Sequence, residues 1–136
     1  MTSGEDEIRF SEPYEWVPDG EFDAECIDYS RPMPFRGTRK VYLTFKLLNE
    51  PYAGTKIFMA LNVGWGNISP GCKYFKCWTA ANDNRLPSKS AIMSPRIFKN
   101  KTFKVTTRTV IPKRGTKEMP FDFHYSVVDS LNLPDT

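Results

Sequence analysis

"SPGCKYFKCWTAAN", residues 69–82, is the one stretch of this chain that reads as a helix. Tyr74, Trp78 and Ala81, with Phe75 beside them, recur at three- and four-residue steps and make an apolar stripe of the kind that packs on a core. Ser69 is the expected N-cap, and Pro70 suits the first helical position, where no N–H is needed. Gly71 in the first turn weakens that start. The placement of this helix decides the fold, because the ordered segments on both sides of it alternate with a period of two.

Upstream, "VPDGEF" starts a strand after a Pro-Asp-Gly turn, with Phe22, Ala24 and Cys26 on one side and Glu21, Asp23 and Glu25 on the other. "RPMPFRGTR", residues 31–39, holds two prolines and a glycine and reads as an arginine-rich loop. "KVYLTFKLL" is the clearest strand: Val41, Leu43, Phe45 and Leu47 form a core face, and Lys40, Tyr42, Thr44 and Lys46 face the other way. "NEPYAG" turns the chain, and "TKIFMALNV" returns it with Ile57, Met59, Leu61 and Val63 opposite Lys56, Phe58, Ala60 and Asn62. If outward, Tyr42 and Phe58 are either a stacking surface among lysines or the cover of a second sheet face; the pattern allows both.

Downstream, "DNRLPSKS" is a polar, basic loop, and Asn100 and Lys101 form a turn. In the next strand Phe103, Val105, Thr107 and Thr109 oppose Lys104, Thr106 and Arg108. "PKRGTKEMP" is a hairpin tip bearing Lys113, Arg114 and Lys117, and "FDFHYSVVDSL" closes the fold with Phe123, Tyr125 and Val127 against His124, Ser126 and Val128. Three strands, a helix and two strands is the element order of an OB-fold. The expected class is therefore all-β with one helix: a five-stranded OB-fold Greek-key barrel, the helix between strands three and four, where it plugs the open bottom with Phe75 and Trp78. Residues 17–136 are assigned to this single domain and residues 1–16 to a flexible acidic arm, whose Phe10, Tyr14 and Trp16 can dock on it.

The net charge of +3 hides a polarity along the chain. Residues 1–30 carry ten acids against Arg9, a net −9; residues 31–117 carry eighteen bases against Glu50 and Asp83, a net +16; residues 118–136 carry four acids. Within "KNKTFKVTTRTVIPKRGTK", residues 99–117, seven cations stand with no acid. A surface so basic attracts polyanions, nucleic acid before anionic membrane.

The chain resembles the small OB-fold single-stranded-DNA-binding proteins of phages and mobile genetic elements. The resemblance covers residues 17–131 and rests on "PDGEFDAECIDY", the hairpin "KVYLTFKLL" with "GTKIFMALNV", the aromatic helix, and "FKNKTFKVTTRTV" followed by "YSVVDSL". It implies a cationic groove across strands two and three, roofed by the first and last inter-strand loops. On this chain those positions are Lys40, Tyr42, Lys46, Lys56 and Phe58 on the floor, Phe35, Arg36 and Arg39 in the first loop, and Lys113, Arg114 and Lys117 in the last, with Lys104 and Arg108 laying charge along the ribbon. Single-stranded DNA is the implied ligand, with RNA as a subset of the same surface. Replication or recombination proteins and further copies of the chain in a homo-oligomer are the candidate partners. Members of this family often end in an acidic, aromatic-tipped tail; "NLPDT" is not one, and the acidity here lies at the N-terminus.

Catalysis is not expected. There is one histidine, no phosphate-cradling glycine loop, and neither GxSxG nor HExxH; Glu21, Asp23 and Glu25 alternate on an outward strand face. No cofactor or metal is expected, since Cys72, Cys77 and His124 do not make a four-ligand zinc set. No apolar run approaches a membrane span, and the acidic start lacks the features of a signal peptide, so the expected location is the cytoplasm, that of a bacterial host if the chain is phage-encoded. The alternative function is a protein-interaction module, such as an inhibitor or adaptor, in which the acidic first thirty residues imitate nucleic acid.

Overall fold

The alternation that marks the central hairpin is realised residue by residue in a computed structural model that describes residues 15–134. Strands β3 (Thr38–Leu47) and β4 (Lys56–Asn62) pair antiparallel from Lys40↔Asn62 to Lys46↔Lys56. Val41, Leu43, Phe45, Leu47, Ile57, Met59 and Leu61 all point inward and are buried. A one-residue slip would send every one of these side chains to water, so the register is strongly specified.

β1 (Gly20–Tyr29) pairs with β3 on one edge and with β5 (Thr102–Val110) on the other; β5 pairs with β8 (Tyr125–Asn132), and β8 meets β4 in parallel at Phe58↔Val127. Five strands thus close into a barrel in the order β1, β3, β4, β8, β5, which leaves none of the five with a free edge. Inside it Phe45 meets Phe103 edge to face at 6.2 Å, and Phe98, from a short 3-10 turn at Pro95–Phe98, fills the space between Phe103 and Tyr74.

Helix α1 (Lys73–Ala81) follows β4 in the chain and buries Tyr74, Cys77, Trp78, Ala80 and Ala81 in the same core. Its polar tips are satisfied: Tyr74 Oη donates to the Met93 carbonyl at 2.7 Å and Trp78 Nε1 to that of Ser94 at 3.1 Å. The helix starts later than its sequence suggested. Cys72, not Ser69, is the N-cap, its Sγ accepting from Phe75 N at 3.4 Å, because Gly71 would have sat in the first turn at a cost of about 1 kcal/mol. Phe75 is outside the buried core and only half-buried, lining an outer hollow together with Ile68, Leu86 and Met93; Phe98 supplies the filling that Phe75 was expected to give.

Two further differences concern the loops. The arginine-rich segment holds a short edge strand, β2 (Met33–Phe35), paired to the start of β3 through a two-residue turn at Arg36 and Gly37, both at positive φ. Pro34 is tolerated there because an edge strand needs no N–H on its outer side. At the other end β6 (Lys113–Arg114) and β7 (Lys117–Glu118) form the expected hairpin tip, turned at Gly115 (φ 66°).

The segment before β1 is tied down from Glu15 onward. Ser126 N donates to the Glu15 carbonyl, Val17 N donates to Ser126 Oγ, and Trp16 Nε1 donates to Thr109 Oγ1 while its ring meets Phe121 at 5.2 Å. Trp16 therefore docks as expected; Phe10, Tyr14 and the rest of the arm lie outside the described residues.

Burial pushes the Cys26 and Cys77 thiols up to about 11 from 9.0. With the folded value above the unfolded one, the associated stability is complete below pH 9 and is lost as pH rises through about 11, on the order of 2 kcal/mol per thiol. Urea unfolding at pH 8 and pH 10.5 should show this fall, and replacing both thiols by Ala should flatten it; an equal fall in the double variant would assign the alkaline loss to other groups.

Candidate nucleic-acid interface

The outward faces of β3 and β4 carry the rings singled out in the sequence. Tyr42 and Phe58 are half-buried, with centroids 6.2 Å apart, and a third ring joins them: Tyr125, at the start of β8, stacks on Phe58 at 6.3 Å and an interplanar angle of 20°. Because the sheet closes on itself, the inner side is core and these rings stand on the outside of the barrel. An open hollow of about 370 Å³ runs beside them, lined by Glu15, Tyr42, Thr44, Lys56, Phe58 and Ser126. A second, of about 500 Å³, leads from Phe58 past Ala60, Lys40 and Asn62 to Lys73 and Arg108.

Two loops bracket this row. β8 runs parallel to β4, so Tyr125 lies toward the Lys56 end, where β5 leaves the barrel into the β6–β7 ribbon; Lys113, Arg114 and Lys117 are exposed there. At the Lys40 end the β2–β3 hairpin presents Phe35, with Lys40 Nζ 4.4 Å and the Arg36 guanidinium 5.3 Å from its ring centroid. Strand alternation puts Arg39 on the opposite side of that hairpin, where its guanidinium lies 5.1 Å from the Trp65 ring and its Nε donates to the Gly64 carbonyl at 2.7 Å. Trp65 is 62% exposed, and its indole N–H is held by the Gly37 carbonyl.

Of the thirteen residues expected at the site, Lys40, Tyr42, Lys56, Phe58 and Arg108 line the hollows along the row, Phe35 and Arg36 stand on the hairpin at its Lys40 end, and Lys113, Arg114 and Lys117 are exposed on the ribbon beyond its Tyr125 end. Arg39 backs the hairpin. Lys46 is at the floor's edge, directly opposite Lys56, and its ammonium lies 3.9 Å from Glu25 on β1. Lys104 stands farther off, on β5 between Asp23 of β1 and Asn132 of β8. The acidic outer face of β1 thus lies between two basic strands, which explains how the opposed charges of the chain coexist: Glu25 faces Lys46 and Asp23 faces Lys104 across the sheet.

No family model matches the chain, and no curated protein matches it. What the surface can do therefore rests on its own chemistry. Among the described residues no three His, Cys, Asp or Glu side chains converge to hold a metal, and His124 is engaged structurally, Nε2 lying 2.9 Å from the Met119 carbonyl. No helix among the described residues is long and apolar enough to cross a membrane. Tyr125, Lys73 and Asn62 join the surface without having been singled out, while Trp65 stands with Arg39 behind the hairpin. Tyr125 was legible as an alternation partner but its side was not, because Val127 and Val128 are both apolar and the period gives no direction there.

Proposed function

We propose that this chain is a sequence-tolerant, non-catalytic single-stranded-DNA-binding protein acting in DNA replication, recombination or repair, and that its barrel is a Greek-key OB-fold like those of the phage and mobile-element proteins it resembles. The fold reading is supported by the pairing order, in which the third barrel strand meets the fifth in parallel while the fourth returns to the first. The observation that carries the function is the row Tyr42, Phe58 and Tyr125, set between a cationic hollow and a cationic ribbon.

Each ring offers a flat apolar face to a base, and base stacking on an aromatic side chain is worth about 1 to 3 kcal/mol whatever the base. Lys40, Lys56, Lys73 and Arg108 flank the row and would follow the phosphates, releasing condensed counterions. Duplex DNA keeps its bases stacked on one another and cannot use the rings. Fluorescence anisotropy with labelled oligothymidine, a mixed-sequence single strand, the matching RNA and a duplex tests this. Both DNA single strands should bind with similar affinity, the duplex markedly more weakly, and all binding should weaken steeply with salt. Equal binding of duplex and single strand would overturn the reading, and a preference for RNA would move the ligand to RNA.

Glu15 brings a carboxylate to the hollow beside Tyr42 and Phe58, and the residues before it carry Glu5, Asp6, Glu7 and Glu12 against Arg9. Acids so connected compete with phosphates for the same cations. Deleting residues 1–12 should therefore raise affinity for short single strands several-fold at low salt, with the gain shrinking near 0.15 M, where the Debye length is about 8 Å. Unchanged affinity at low salt would show that the arm does not reach the site.

A further inference from the structure

The hollow beside Phe58 is edged by three cations on three different elements, Lys40 of β3, Lys73 at the start of α1 and Arg108 of β5, and Asn62 of β4, the register partner of Lys40, lines it too. Two of these cations already share an anion. Asp129 Oδ1 accepts from Arg108 Nε at 3.0 Å and lies 4.0 Å from Lys73 Nζ.

Asp129 continues the outward-facing set of β8 that begins with Tyr125 and Val127. The β5–β8 register shifts between Thr106↔Ser130 and Thr107↔Val128, so Asp129 is the extra residue of a β-bulge. The bulge leaves Asp129 with no register partner on β5, and its carboxylate meets the two cations there. All three side chains are about half exposed, so the contact is screened and loosely held rather than a structural lock.

We propose that Asp129 stands in for a backbone phosphate: in the free protein it holds Lys73 and Arg108 together at the edge of the hollow, and it yields them to an internucleotide phosphate of the bound strand. The inference rests on the single-strand reading above and adds to it a defined phosphate seat and an exchange of anions there. Three features support it. One carboxylate oxygen serves both cations, as one phosphate oxygen can. Lys40 and Asn62 border the same hollow and supply further donors for a ligand bearing more oxygens than a carboxylate. The seat adjoins Phe58, so a nucleotide whose base lies on that ring has its phosphate within reach. Exchanging one half-exposed anion for another costs little, which keeps the two cations ordered without blocking the site.

The test is a salt titration of binding to an oligothymidine of about eight nucleotides, within the span one such domain covers. Lys73→Ser should weaken binding several-fold and lower the slope of log affinity against log salt by about 0.7, one phosphate contact on a single strand. Asp129→Asn keeps the shape of the side chain while removing its charge, and should tighten binding several-fold at low salt. Lys76→Ser, on the next turn of α1, and Asp83→Asn, whose carboxylate pairs with Arg85 beyond the helix, measure the general effect of removing one charge. Shifts in the first pair no larger than in these controls would overturn the exchange while leaving single-strand binding standing. An unmodified protein that fails to bind the oligothymidine overturns both.

Discussion

Phe58→Ala is expected to weaken binding of short oligothymidines by about 1 to 3 kcal/mol, toward the upper end of that range, and Tyr42→Ala by an amount in its lower half. The difference follows from position. Phe58 contacts both other rings, Tyr42 at 6.2 Å and Tyr125 at 6.3 Å, so its removal takes away the central stacking face and unseats its two neighbours, whereas loss of Tyr42 removes one end. Both side chains stand outside the barrel and are half-buried, so the melting temperature should change little. Phe103→Ala, which empties a site in the core beside Phe45 and Phe98, is the contrasting variant and should cost about 3 to 5 kcal/mol of stability. Wild-type affinity in both ring variants would remove stacking from the account, and a collapse in melting temperature of the size expected for Phe103→Ala would make the rings part of the core.

The second large effect belongs to the β6–β7 ribbon. Lys113, Arg114 and Lys117 are exposed on a tip beyond the Tyr125 end of the row, and Arg114 lies across from Lys117. Replacing all three by Ser should weaken every single strand alike and reduce the slope of log affinity against log salt by about 2, near 0.7 for each phosphate that the tip no longer neutralises. Lys113 lies opposite Glu118, which partly neutralises it, so a shortfall from the full value should trace to Lys113 when the three are changed singly. An unchanged slope would mean that the tip does not touch the backbone, and the phosphate path would then be sought at Arg31, Arg36 and Arg39 at the opposite end.

The parts of this surface that were legible in the sequence are those governed by local alternation. Along 40–47 apolar residues alternate with polar ones and Tyr42, and along 56–62 burial alternates although Phe58 and Ala60 are apolar, since a closed barrel gives each strand one dry side and one wet side. That pattern set Lys40, Tyr42, Lys46, Lys56 and Phe58 opposite the core face, and the family resemblance placed them on a groove floor. The rest depends on contacts remote in sequence. Lys73 borders the hollow from the first turn of a helix packed on β8 and β4, and Asp129 meets it from β8, where the pairing with β5 is interrupted by a bulge. The β2 strand was hidden by Pro34, which argues against a central strand but not against an edge one. Pairing of Glu25 with Lys46, the counterweight to the basic middle of the chain, follows from barrel closure and from nothing within either strand.

The most direct test of the central claim is a crystal structure of the protein with an oligothymidine of about eight nucleotides, long enough to cross the ring row. Thymine bases should lie on Tyr42, Phe58 and Tyr125, with phosphates near Lys40, Lys73 and Arg108 and the strand continuing toward the Lys113, Arg114 and Lys117 tip. An oligonucleotide bound on another face of the barrel, with those three rings uncovered, would contradict it.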